Sequence, residues 1–238
     1  KTTTKPIPPE TELVLATRYV ARATGNIFQT FLDKLEERKF STTVIPKIYE
    51  AYFGSNHTSV IMRYLKTDNK TVQTFLGNIP KEVLGADTES NEITGTFLPD
   101  GITDVSLSPD TTKVFYLLNV GDNAIGTTLN LSASKPSDVG KKTQIFDSPF
   151  TEWLSSWSNV NMVTLTTKPS ASVPGHMYVV NPTTKSFSRV LGDINGLTTL
   201  LSPDGKLILY SDNSLSLSIY NISNATRTPV GVRTLPEK

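Results

Sequence analysis

Leu107-Ser108-Pro109-Asp110 recurs as Leu201-Ser202-Pro203-Asp204, the second time followed by Gly205-Lys206, and the copies lie 94 residues apart, two periods of 47. Between them, Leu154-Ser155-Ser156-Trp157-Ser158-Asn159 reads as a degenerate middle copy, with Ser158 fifty residues after Ser108 and 44 before Ser202. Each copy is followed by an apolar run (Val114 to Leu118, Met162 to Leu165, Leu207 to Tyr210), then a turn, then another strand. Those later strands include Met177 to Val180 and the alternating Leu215, Leu217 and Ile219. Alternation with period two marks a half-buried strand. In each copy proline presets φ at the first turn position and Asp or Gly accepts the next. Ser108-Pro109-Asp110 and Ser202-Pro203-Asp204-Gly205 therefore predict tight turns between the first two strands of a unit.

One such unit cannot cover both of its faces, so units must stack and bury one another. A period near 47 with this strand and turn order predicts an all-β fold of the β-propeller kind, whose repeats run to roughly 40–50 residues. On the Ser202 to Lys206 turn, SPDGK, and its counterpart at Ser108, the chain resembles the WD40-like repeat of TolB-type bacterial propellers. The resemblance covers about the last 140 residues. It implies blades that carry this turn between their first two strands. It leaves function open, because such propellers serve as binding modules, enzyme gates and scaffolds.

The first half fits the same scheme. Ile48 to Phe53, Val60 to Leu65 and Val72 to Leu76 read as three strands of one blade, and Tyr19 to Ala23, Ile27 to Leu32 and Phe40 to Ile45 as most of another. About five four-stranded blades are thus recognisable, at roughly Leu13 to Ile45, Pro46 to Pro80, Ile93 to Pro149, Phe150 to Asp193 and Asn195 to Arg233. Lys81 to Glu92 reads as an insertion, and the charged stretch from Asp33 to Phe40 as a hairpin tip in preference to a helical turn. Residues 1–12, with Thr2 to Thr4 and Pro6, Pro8 and Pro9, have the composition of an extended tether, which leaves 13–238 as the propeller domain. The first unit lacks an innermost strand and no apolar run follows Val232. The ring is therefore expected to close on Thr11 to Ala16 or, as we favour, to continue beyond Lys238 as part of a larger one.

Composition narrows the function classes. Lys and Arg number 23 against 22 for Asp and Glu, so the formal charge of +1 provides no field for nucleic acid or an anionic membrane. Without cysteine there are no disulfides, no thiol chemistry and no cysteine-based metal site. No stretch approaches eighteen apolar residues, so the chain carries no transmembrane segment of its own. The chain begins with Lys1 rather than Met, and an anchor N-terminal to it is an expectation.

No catalytic constellation stands out. His57 and His176 sit beside turn residues in different units, without a partner at metal-ligand spacing, and read as solvated loop histidines. Gly121-Asp122-Asn123 lacks the remaining oxygen ligands of a calcium loop and reads as a plain turn. Asp147 and Glu152, which flank Pro149-Phe150, read as loop acids rather than a glycosidase pair. No Gly-x-Ser-x-Gly elbow and no phosphate-binding glycine loop occurs, and no cofactor is implied. Trp153 and Trp157 lie four apart on a predicted strand and so share a face. Blade-to-blade packing explains them most simply, and they are also the candidates for surface recognition. Five Asn-x-Ser/Thr sequons, at Asn56, Asn69, Asn130, Asn221 and Asn224, lie at or near predicted turns.

The expected function is a non-catalytic, extracytoplasmic propeller that docks protein or cell-wall polymer, held at its N-terminus to a membrane anchor or another domain. A hydrolase or lyase with a polar site in the central channel is the first alternative. A structural subunit of a surface assembly is the second.

Overall fold

The computed structural model describes residues 15–80, 91–132, 136–214 and 216–230. Its strands follow one another as antiparallel meanders in five sheets. The first sheet holds β1 (Ala16–Val20), β2 (Ile27–Phe31) and β3 (Glu37–Lys39). The second holds β4 (Ile48–Gly54), β5 (Ser59–Leu65), β6 (Val72–Asn78) and β7 (Thr94–Phe97). The third holds β8 (Ile102–Leu107), β9 (Lys113–Val120), β10 (Asn123–Asn130) and β11 (Lys142–Ser148). The fourth holds β12 (Trp153–Asn159), β13 (Met162–Thr167), β14 (Pro174–Val180) and β15 (Phe187–Asn195). The fifth holds β16 (Thr198–Leu201), β17 (Leu207–Ser211), β18 (Leu217–Asn221) and β19 (Thr226–Pro229).

Both Ser-Pro-Asp segments are turns between the first and second strands of their sheets, and they have the same geometry. The Ser108 hydroxyl donates to Asp110 Oδ1 (2.6 Å) and accepts from the Lys113 amide, while Asp110 accepts from the Thr112 amide. The Ser202 hydroxyl donates to Asp204 Oδ1 (2.5 Å) and accepts from the Leu207 amide, while Asp204 accepts from the Lys206 amide. Gly205, with φ of 72°, occupies the position that Thr111 takes with φ of 57°. Only glycine enters that left-handed region without steric cost. The middle copy is different. Leu154 to Asn159 forms most of β12, and the chain reverses after it through Val160 and Asn161. With no Pro-Asp pair to make the longer turn, a two-residue connection suffices, and the Asn159 side chain accepts the Asn161 amide.

Two strand assignments move. The third strand of the first sheet is Glu37–Lys39, not Phe40 to Ile45. An outermost strand is wet on both sides, so charged residues suit it, and Glu37 accepts a hydrogen bond from the Tyr19 hydroxyl (2.6 Å). Phe40 and Ile45 are buried because that connection runs into the gap between the first and second sheets. Likewise Thr94–Phe97 completes the second sheet rather than opening the third unit, pairing Phe97 with Phe75. The tether at 1–12, most of the 81–92 insertion, Leu215 and the residues from 231 onward lie outside the described residues.

Packing between sheets forms four apolar cores, one at each junction from the first sheet to the fifth. The second strand of a sheet serves two of them. On β9, Val114 and Tyr116 face the second sheet and Phe115 and Leu117 face the fourth. That two-sided burial is why Val114 to Leu118 is continuously apolar instead of alternating. The first-to-second-strand turns also interlock, the Ser55 amide donating to Thr111 O (2.6 Å) and Asn159 Nδ2 to Pro203 O (2.8 Å).

Several turn carboxylates are held below their usual range. The Thr71 hydroxyl and the amides of Lys70 and Thr71 bring Asp68 down to about 2. At Asp110 partial burial opposes the shift, and the bonds from Ser108 and Thr112 outweigh it. A carboxylate whose folded pKa is depressed stabilises the fold fully above its unfolded value of about 3.9, and that contribution fades as pH falls towards the folded value. The urea midpoint is therefore expected to drop as pH falls from about 4 to 2. Asp110→Ala should cost about 1 kcal/mol at neutral pH and flatten part of that acid limb. An unchanged acid limb in Asp110→Ala would contradict the turn's role.

Candidate functional site

Neighbouring sheets of a propeller diverge away from the axis, and at the junction of the third and fourth sheets the outer part of that wedge is an open cleft of about 710 Å³. Its near wall is the end of β11 and the link to β12, Phe146 to Phe150. Its far wall is Trp153, His176, Tyr178 and Phe187, and its lip is the β13–β14 connection from Lys168 to Val173.

The floor is a set of interlocked rings. Trp153 meets Phe146 and Phe150 edge to face with centroids 5.5 and 5.3 Å apart, and Tyr178 stacks on Phe187 at 4.6 Å. Alternate residues of β14 share a face, which puts His176 and Tyr178 together, and the hairpin to β15 brings Phe187 beside Tyr178. The Trp153 indole donates from Nε1 to Phe150 O (2.7 Å), which fixes the link's path over the ring. Phe150 is 43% exposed and Phe187 49%, so apolar ring surface faces outward at the mouth.

The polar groups around the mouth are largely paired with one another. Lys168 Nζ and Glu152 Oε2 are 2.7 Å apart, and Asp147 Oδ1 accepts from Asn123 Nδ2 (3.2 Å). His176 is on a strand in the cleft wall, not on a solvated loop as its flanking turn residues suggest. Its Nδ1 is buried without a partner against Gly192, where a Cβ would come within 2.6 Å of that atom.

The two tryptophans have separate fates. Trp153 is 5% exposed and forms the cleft floor. Trp157, also 5% exposed, packs in the core with Phe115 and Leu117, and its Nε1 has no partner. Neither indole offers a free surface face. The exposed aromatics at the cleft are Phe150 and Phe187, which the sequence reading did not single out. The available signal was the crowding of Phe146, Phe150, Trp153 and Trp157 into one short stretch.

The polar residues nearest the axis form a second group. Arg63, buried, donates to Glu50 (2.7 Å) and to the carbonyls of Ile102 and Thr103, and Asp104 accepts the Ser155 amide. Burial pushes the Tyr49 hydroxyl up to about 12, against the opposing pull of Arg63. These bonds tie the second, third and fourth sheets together. Among the described residues no three His, Asp or Glu side chains gather as a metal site would require, and no helix is long and apolar enough to cross a membrane. His57 lies in the β4–β5 turn, and Asn56 and Asn69 are turn residues with positive φ.

No protein-family model matches the chain. No curated protein matches it in sequence. Solved structures do match in shape. TolB from Acinetobacter baumannii is similar over 90% of this chain and 52% of its own, at 14% identity and a TM-score of 0.52. The β-propeller domain of the Trilobed protease from Pyrococcus furiosus is similar over 86% and 61%, at 9% identity and a TM-score of 0.56. An acylaminoacyl peptidase is similar over 78% and 32%, at 8% identity and a TM-score of 0.54. The chain is a β-propeller, and its fold is TolB-like. It spans about half the length of TolB and less of the peptidase.

The packing of the two indoles makes a prediction. Trp157→Ala should cost about 3–5 kcal/mol of stability, whereas Trp157→Phe, which keeps a six-membered aromatic ring and removes the unpaired N–H, leaves a smaller void and should cost clearly less. Fluorescence of Trp157→Phe then reports Trp153 alone, expected to be blue-shifted and shielded from iodide. Ready quenching would place that indole outside the floor.

Proposed function

We propose that the chain is a non-catalytic propeller that docks a protein outside the cytoplasm, tethered through residues 1–12, and that its docking site is the aromatic cleft. The observation that carries this reading is the mouth itself: exposed Phe150 and Phe187 over a ring-lined floor, with Glu152 and Lys168 already paired. A cleft whose charges are satisfied takes an uncharged anchor, a large apolar side chain on an extended segment. A wall polymer would need several unpaired polar groups to fix its hydroxyls, and Asp147, Glu152 and Lys168 are committed elsewhere, which favours protein over glycan. The tether rests on the composition of residues 1–12, and the placement outside the cytoplasm on that tether together with the TolB-like fold. The channel-enzyme alternative is less favoured because Glu50 and Asp104 are engaged by Arg63 and the Ser155 amide.

The test uses Phe150→Ala/Phe187→Ala, a double variant at exposed positions that should leave the circular dichroism unchanged. A partner captured from the native source by the wild type should be lost by this variant, with affinity down at least tenfold. In Trp157→Phe, a capped Ala-Phe-Ala peptide should perturb Trp153 emission and chitobiose should not. Equal capture by both proteins, or a response to the sugar alone, would overturn the reading.

A further inference from the structure

Along the link and the lip of the cleft between the third and fourth sheets, the backbone hydrogen bonds are already made. Three of the lining residues, Pro149, Pro169 and Pro174, have no amide N–H. The amides of Phe150, Lys168, Val173 and His176 donate to Ser148 Oγ, Glu152 O, Ser170 Oγ and Thr167 Oγ1. Those bonds occupy the acceptors as well, and Phe150 O receives the Trp153 indole N–H while Ser170 O receives the Gly196 amide. An ordinary extended segment pressed against this surface would bury its own N–H groups without partners, and that loss offsets the gain from apolar contact.

The rings narrow the choice of ligand further. Tyr178 and Phe187 are stacked with planes 5° apart, so each has one face covered by the other. Trp153 stands edge-on to Phe146, Phe150 and Tyr178, at 89°, 88° and 78°. A cage for a cation needs several ring faces turned on one point, and these rings turn their faces and edges on one another. What reaches the mouth is the ring surface of Phe150 and Phe187, bordered by Val173, which is 61% exposed. An aromatic-lined groove of this kind suits a stiff, uncharged, apolar segment.

Given that the cleft docks a protein, on which this step rests, we infer that the partner enters it with a proline-rich segment in the polyproline II conformation. Proline supplies an apolar ring and no N–H, and in this conformation the backbone carbonyls stay hydrated. Such a segment is stiff before it binds, so little conformational freedom is lost on docking. A cleft of about 710 Å³ is the size of a small-ligand site, and at about 3.1 Å per residue it takes a short motif rather than the face of a domain. The chain has a run of the same kind, Pro6-Ile7-Pro8-Pro9, outside the described residues, and that run is the competitor from which a partner has to be told apart.

In the full 238-residue chain carrying Trp157→Phe, Trp153 is the single indole and its emission reports the cleft. Capped Ala-Pro-Pro-Ala, Ala-Val-Val-Ala and Ala-Phe-Ala are titrated against it. The proline peptide should bind at least tenfold more tightly than the valine peptide, and adding Phe150→Ala/Phe187→Ala should weaken it at least tenfold with the circular dichroism unchanged. Equal affinity for the proline and valine peptides, or tighter binding of Ala-Phe-Ala than of the proline peptide, overturns the inference and leaves the docking reading standing. No response to any of the three overturns the inference too, and the docking reading falls with it only if Phe150→Ala/Phe187→Ala also captures the native partner as well as the wild type does. Pro6→Ala/Pro8→Ala/Pro9→Ala should change neither the Trp153 emission nor the affinity for the proline peptide. A shift in emission together with tighter peptide binding in that variant assigns the cleft to the chain's own segment and overturns a partner as its occupant.

Discussion

The structure depends on burying both faces of the second strand in each sheet. Val114, Phe115 and Leu117 on β9 are fully buried, split between two junctions. Each is worth about 1.5–3 kcal/mol, against about 1 for a hydrogen bond in a Ser-Pro-Asp turn. Packing therefore decides the stacking, and the turns set where each hairpin reverses. Since one sheet leaves two apolar faces, no sheet is stable alone and the array grows by adding neighbours.

The cleft follows from that stacking. Flat sheets arranged around an axis are close at their first strands and apart at their last ones. Near the axis the gap is narrow enough for the Arg63 guanidinium to bond the carbonyls of Ile102 and Thr103 on the next sheet. Farther out, between the third and fourth sheets, it is wide enough that the aromatic rings lining it leave an open cleft. The lip, built from the β13–β14 connection and the β11–β12 link, then closes part of the opening and pairs Lys168 with Glu152 across it. A structural requirement to fill a wedge has thus produced a surface with the chemistry of a docking site.

The outermost strands obey different rules from the inner ones, and this explains where local reading erred. Glu37–Lys39 is a strand because β2 offers it a free edge, while its side chains meet water on both sides. Charge is what such a strand tolerates, so no apolar signal marks it. Thr94–Phe97 is separated from its partner β6 by residues 79–93, and only pairing across that interval assigns it to the second sheet. His176 looked like a loop residue because the prolines and glycine around it bend β14 without ending it.

The sequence by itself determined the all-β class, the five units and the resemblance to TolB-type repeats. Those properties are local and repeated: a Pro-Asp turn of fixed backbone path, an apolar run buried on two sides, and a spacing that returns. Only the tertiary structure decided that Trp157 lies in the core while Trp153 floors a cleft, and that Phe150 and Phe187 form its mouth. Each of these depends on which sheet lies opposite a residue and how far from the axis it sits. Distance from the axis and the identity of the facing sheet are properties of the stack, and no single stretch of sequence carries them.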